Sequence, residues 1–116
     1  MSAIYRTQYG EVNISDDVLA TISGLAATEC YGLVGMANKN AKDGLVELLK
    51  KENLAKGVKV TTEGDEINVD LYIVVEFGTK ISTIADNIIS KVKYTVENMT
   101  GLKVRKVNIN VQGVRV

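Results

Sequence analysis

Six apolar residues, Ile67, Val69, Leu71, Ile73, Val75 and Phe77, occupy every second position of one unbroken run. Period two is the spacing of side chains on one face of a β-strand, so this segment buries one face and shows the other. Ahead of it Val58 and Val60 alternate with Lys59 and Thr61, and Glu63-Gly64-Asp65-Glu66 lies between the two runs. Two alternating runs around a Gly-Asp pair spell a β-hairpin. The period then changes. Ile81, Ile84, Ala85, Ile88, Ile89, Val92, Val96 and Met99 recur at helical spacing, and Gly101 stands where a left-handed helix cap belongs, with Leu102 placed to fold back on the last turn. A final strand runs from Leu102 to about Gln112. Its apolar phase slips between Val104 and Val107, which predicts a β-bulge near Arg105-Lys106.

The N-terminal half carries weaker signals. Tyr5, Thr7 and Tyr9 alternate on one phase and Val12 and Ile14 on the other, with Gly10 between them. Ser15 is placed as an N-cap, followed by the acids Asp16 and Asp17, which favour the positive end of a helix dipole. The first helix is expected over residues 16–29, with Val18, Ile22, Leu25 and Ala26 as its apolar stripe and Leu19 and Cys30 beside it. Tyr31 to Ala37, broken by Gly32 and Gly35, reads as either a strand or a loop. Asn38 to Lys42 is a polar connector. Leu45, Leu48 and Leu49, with Glu47 and Lys51 four apart, read as a short second helix that Gly57 stops. The order is β-α-(β)-α-β-β-α-β in a single domain, residues 1–116. Strands that are apolar on one phase only, mixed with amphipathic helices, give an α+β two-layer sandwich: a mixed sheet with the helices packed on one face.

Composition removes much chemistry. Among 116 residues there is no His, no Trp, no Pro and one Cys. Without His there is no imidazole base or ligand, and one Cys makes neither a disulfide framework nor a Cys-rich zinc site. The 14 basic and 14 acidic residues cancel, so no global field attracts nucleic acid or an acidic membrane. Val18 to Asn38 is long and carries a single charge, Glu29, but it is rich in Gly, Ala, Ser and Thr and reads as buried protein rather than a membrane span. A lone reduced thiol and an N-terminus without the apolar core of a signal peptide point to the cytoplasm.

Several fragments in fixed order resemble a known family. They are Gly10-Glu11-Val12-Asn13-Ile14-Ser15, Tyr31-Gly32-Leu33-Val34-Gly35-Met36, Gly57-Val58-Lys59-Val60, Asp70 to Gly78, Val92, Val96, Met99-Thr100-Gly101-Leu102 and Val107-Asn108-Ile109-Asn110-Val111. In order and spacing they resemble the alkaline-shock-protein, or Gls-type envelope stress response, family of Gram-positive bacteria. The resemblance implies a cytoplasmic, non-enzymatic protein of cell-envelope homeostasis and alkaline stress tolerance. It implies protein partners, self-association, and recruitment to the inner face of the membrane through a separate anchor protein. Lacking long polar tails, the chain is similar to a short housekeeping branch, sometimes encoded beside a dihydroxyacetone-kinase-like subunit of a fatty acid kinase. An accessory role in such a system is an alternative function.

The residues themselves offer few sites. Cys30 sits at a helix C-terminus beside Glu29, where dipole and acid both disfavour a thiolate, so it reads as a packed residue and not a nucleophile. Glu63, Asp65 and Glu66 cluster at a turn without the ligand count of a calcium loop, and read as solvated charges. Gly32-Leu33-Val34-Gly35 invites comparison with the GXXG loop of KH RNA-binding modules, the other alternative. Its central Leu and Val offer nothing to phosphate, so nucleic acid is not the expected partner. Lys103, Arg105, Lys106 and Arg115 read as charges that guard an edge strand. No catalytic, cofactor-binding or metal residues are expected. The candidate interface is the outward phase of the sheet: Asn68, Asp70, Tyr72 and Val74, with Asn108, Asn110 and Gln112 on the last strand.

Overall fold

The computed structural model describes residues 2–40 and 47–116. In chain order it forms β1 (Ser2–Thr7), β2 (Gly10–Ser15), α1 (Asp16–Thr28), β3 (Leu33–Met36), a 3₁₀ segment (Lys51–Gly57), β4 (Val58–Glu63), β5 (Glu66–Glu76), α2 (Ile81–Thr100) and β6 (Lys103–Arg115).

The strictly alternating strand β5 is the axis of the sheet. One of its edges pairs in parallel with β6 from Glu66↔Lys103 to Glu76↔Arg115. The other edge is shared. Antiparallel β4 covers its first half, from Glu63↔Glu66 to Val58↔Leu71, and β3 covers its second half through Met36↔Ile73 and Leu33↔Val75. Parallel neighbours need a crossover, and α2 provides it between β5 and β6. This mixed sheet carries the helices on one face, as the alternation requires. Ile67, Val69, Leu71, Ile73 and Val75 join Ile84, Ile88, Val92 and Val96 of α2 in one buried cluster.

The ends of the helices follow their sequence signals. The Ser15 hydroxyl accepts from the Val18 N–H at 3.3 Å and caps α1. Gly101, at φ 77°, ends α2, its N–H donating to Glu97 O at 3.0 Å, and Leu102 is buried behind it. The bulge in β6 falls where the phase slips: Ile67 pairs with Val104 and Asn68 with Lys106, leaving Arg105 over. A second register shift lies between Val111 and Gly113.

Four expectations need correction. No helix forms around Leu48 and Leu49: Leu48 bridges Ala37, Leu49 N–H donates to Met36 O at 2.8 Å, and the helical turn comes later, as the 3₁₀ segment. Three leucines within five positions suit extended chain beside β3 as well as a helix; Leu45, Lys42 and their neighbours over 41–46 lie outside the described residues. Second, the buried face of α1 is rotated from the expected stripe: Leu19, Ala20, Ser23, Gly24, Ala26 and Ala27 are buried and Ile22 packs on the core, while Val18 and Leu25 are exposed. Small residues let the helix approach closely; a Cβ on Gly24 would sit 3.2 Å from Leu54 Cβ. Third, the first strand-like stretch is two strands. β1 and β2 pair with each other from Ser2↔Ser15 to Thr7↔Gly10 and form a separate two-stranded sheet. Fourth, Ile81 and Met99 flank the buried stripe of α2 but stay exposed. The undecided stretch after α1 is settled as a strand, β3.

Candidate interaction surface

The sheet face away from the helices is built by the outward phase of β5 and its neighbours. Pairing sets the rows across it: Lys59, Asp70 and Asn108 in one, Thr61, Asn68 and Lys106 in the next. Asn68, Asp70 and Tyr72 are half-buried, and Val74 is buried. Asn108 and Asn110 also lie on this face, opposite Asp70 and Tyr72. Gln112 is exposed as expected, but it falls inside the second register shift and has no partner on β5.

The polar groups are partly committed inside the sheet. Asn108 Nδ2 donates to Asp70 Oδ1 at 2.7 Å, and Asn110 Nδ2 donates to Leu71 O at 3.3 Å. These two amides therefore tie β6 to β5, while Asn68 Oδ1 is enclosed with no partner among the described residues. Further along, Arg105 reaches Glu63 and Glu66 at 3.9 and 3.8 Å, and Lys103 reaches Glu66 at 3.8 Å. Glu63 and Glu66 of the turn thus meet cations. Among the described residues no group of three His, Cys, Asp or Glu side chains could hold a metal ion.

At the other end of the face the surface becomes apolar. Val34, Leu48, Val74, Gly113, Val114 and Arg115 line an open depression of about 420 Å³. Val34 and Leu48 were not legible as surface residues, because Leu48 reads as helical and β3 reads equally as a loop. A regular strand would have put Val34 in phase with the buried Met36; the register shift between Leu33 and Gly35 breaks that phase, and period two alone does not show it.

The remaining candidates take structural places. Gly32 turns the chain at φ 89°, and a Cβ there would meet Ile84 Cδ1 at 2.6 Å. Gly35 lies within β3 against Leu48. The Gly-Leu-Val-Gly run therefore enters strand β3 rather than joining two helices. Burial raises the Cys30 pKa above the ordinary thiol value; Lys91 pulls against that and Glu29 adds to it. The thiol donates weakly to Ala26 O at 3.9 Å.

The chain from residue 5 to 116 matches the model of the alkaline shock protein 23 family, which has a cell envelope-related function. It belongs to that family. The uncharacterized protein YloU of Bacillus subtilis is 56% identical over 117 aligned positions, covering 100% of this chain and 98% of the relative. A stress response regulator gls24 homolog of Streptococcus pyogenes is 36% identical over 109 positions, covering 91% of this chain and 59% of the relative. The resemblance to alkaline-shock and Gls-type proteins is thereby established. In fold, this alkaline-shock-family chain is similar to the MamM CTD D249N zinc form, with a TM-score of 0.52 and 12% identity over 86% of this chain and 87% of the other. No helix among the described residues is long and apolar enough to cross a membrane; the stretch Val18–Asn38 is divided between α1 and β3.

Proposed function

We propose that this alkaline-shock-family chain is a non-enzymatic protein-interaction module of cell-envelope homeostasis, working in the cytoplasm at the inner face of the membrane. Its open sheet face takes a protein partner, with a second copy of the chain among the candidates. The observation that carries this is the placement of buried Val74 beside Val34 and Leu48, with Tyr72 two positions before Val74 on β5, on a face the helices leave uncovered. An apolar centre beside hydrogen-bonding groups, with charges at the edge, is the anatomy of a protein interface. The lack of His removes imidazole chemistry and the Cys30 thiol is pushed toward its neutral form, which supports a role without catalysis.

The test compares the wild type with the double variant Tyr72→Ala, Leu48→Ser, both verified as folded by their melting curves. Proteins retained from native cytoplasm, with and without membranes, and sedimentation at rising concentration are expected to show partners or self-association that the variant loses. An unchanged set of partners and an unchanged sedimentation profile would mean that the face is only wet by water. Tight, salt-sensitive binding to a mixed RNA pool would instead favour the nucleic-acid reading.

A further inference from the structure

The end of the sheet where β5 finishes presents apolar side chains that the core does not use. Tyr31, in the turn after α1, is 88% exposed, and Phe77, just past β5, is 69% exposed. Val114 and Ile81 are 48% and 43% exposed. Phe77, Ile81 and Val114 line one open depression. Tyr31 lines the next, which shares Glu76 and Thr79 with the first. The four residues come from separate segments of the chain and meet at one end of the molecule. Gly32 and Gly78, at φ 89° and 87°, make the turns on which the two rings stand.

The charges at this end favour an anionic surface. Lys80 and Arg115 are exposed, and neither has an acid within 4.0 Å among the described residues. Glu76, paired across the sheet with Arg115, opposes them, and Glu29, just before Tyr31, is held by Lys91 at 3.2 Å. The rings stand on turns, largely exposed, over depressions that are open rather than enclosed, which suits a deformable lipid surface better than a protein ridge. Aromatic side chains settle at the boundary between headgroups and acyl chains, where one end of the ring is apolar and the other wet.

We propose that this end docks directly on a lipid surface bearing anionic headgroups, with Tyr31 and Phe77 entering the interfacial layer and Lys80 and Arg115 lying against the phosphates. It goes beyond the sheet-face reading and centres on Tyr31 and Phe77, which that reading does not use, although Val114 and Arg115 border both surfaces. Two rings and two cations give weak, reversible binding, since each cation near an anionic leaflet contributes about fivefold in partitioning.

The experiment sediments the full chain with vesicles of phosphatidylglycerol and, separately, of phosphatidylcholine at low salt. The wild type is expected to partition more strongly to phosphatidylglycerol. Partitioning is expected to fall about tenfold in Tyr31→Ser, Phe77→Ser, given the apolar area each ring would bury. It is expected to fall at least as far in Lys80→Glu, Arg115→Glu. Tyr9→Ser removes a ring that is 91% exposed at the tip of the β1–β2 hairpin, beyond the other end of β5, and serves as the control. It should bind as the wild type does, and so should Tyr72→Ala, so that a failure of the sheet-face reading is read separately. Absence of binding to phosphatidylglycerol overturns the proposal, as does binding that the aromatic pair leaves unchanged or that Tyr9→Ser lowers equally. Loss of a protein partner by Tyr31→Ser, Phe77→Ser, with no vesicle binding by the wild type, would assign the patch to a protein and overturn it too.

Discussion

Gly57 shows how closely single residues are fitted. It ends the 3₁₀ segment, and a Cβ there would lie 2.7 Å from Ala37 O, 3.0 Å from Leu49 Cδ1 and 3.1 Å from Met36 Cβ. The first of these is backbone, so the neighbour cannot move aside cheaply. Gly57→Ala is expected to cost about 1–3 kcal/mol, the range for forcing atoms into a packed site. Gly10→Ala, where nothing lies within 4 Å of the added Cβ, should stay within about 0.5 kcal/mol. Urea titration of both variants checks the contrast, and equal effects would contradict the packing at Gly57. The Cys30 thiol yields a second expectation. Its folded pKa is raised, chiefly by burial, so the folded state holds the proton more tightly than the unfolded chain does. Its contribution to stability is therefore complete below the ordinary thiol pKa and is lost as pH rises through the folded value. The melting temperature of the wild type should fall more steeply on the alkaline side than that of Cys30→Ala. Parallel profiles would show that the thiol titrates alike in both states.

Among the elements, β5 and α2 were legible because each carries a long pattern with one reading. Apolar residues at every second position from Ile67 to Val75 and a stripe recurring over twenty residues leave no competing period. The face of α1 was only partly legible, because beside Leu19 its buried positions are the small residues Ala20, Ser23, Gly24, Ala26 and Ala27, which hydrophobic size does not mark; Gly24 packs close to Leu54. Leu48 and Leu49 misled for another reason. A few apolar residues close together fit an extended segment beside β3 as well as a short helix, and only tertiary contact decides between them. The candidate surface inherits both results: its β5 and β6 rows were readable from alternation, while Val34 and Leu48 depended on elements the pattern left open. The stripe of α2 makes the sharper test. Ile88 is fully buried, whereas Asn87, one position round, is exposed. Ile88→Ala should cost about 2–5 kcal/mol, a large part of the roughly 5–15 kcal/mol of a small domain, while Asn87→Ala should change little. Thermal melting separates the two, and similar losses would place the helix on another face.

At the scale of the whole molecule the hairpin β1–β2 stands apart from the rest. The Cα radius of gyration is 14.4 Å and the longest extent 52 Å, where a compact chain of this length has a radius of about 13 Å. The excess follows from topology: β1 and β2 pair only with each other. Their base is tied down. Ala3 is fully buried, Ile14 packs on the core, Ile4 N–H donates to Gly64 O at 3.4 Å, and the Tyr5 ring lies over Gly101. Beyond Tyr5 and its partner Val12, both exposed, the ribbon has no further layer to pack on. A two-stranded ribbon in water is marginal by itself, so the outer half of the hairpin should open without the rest of the domain. The buried length of β5 between two neighbours should open only with global unfolding. Native-state amide exchange at low protein concentration is therefore expected to show weak protection from Arg6 to Glu11 and strong protection from Ile67 to Val75. Adding urea should leave the hairpin rates nearly flat while those of β5 rise with the full denaturant slope. Equal protection in the two elements would mean that the ribbon is held by a surface other than its own base.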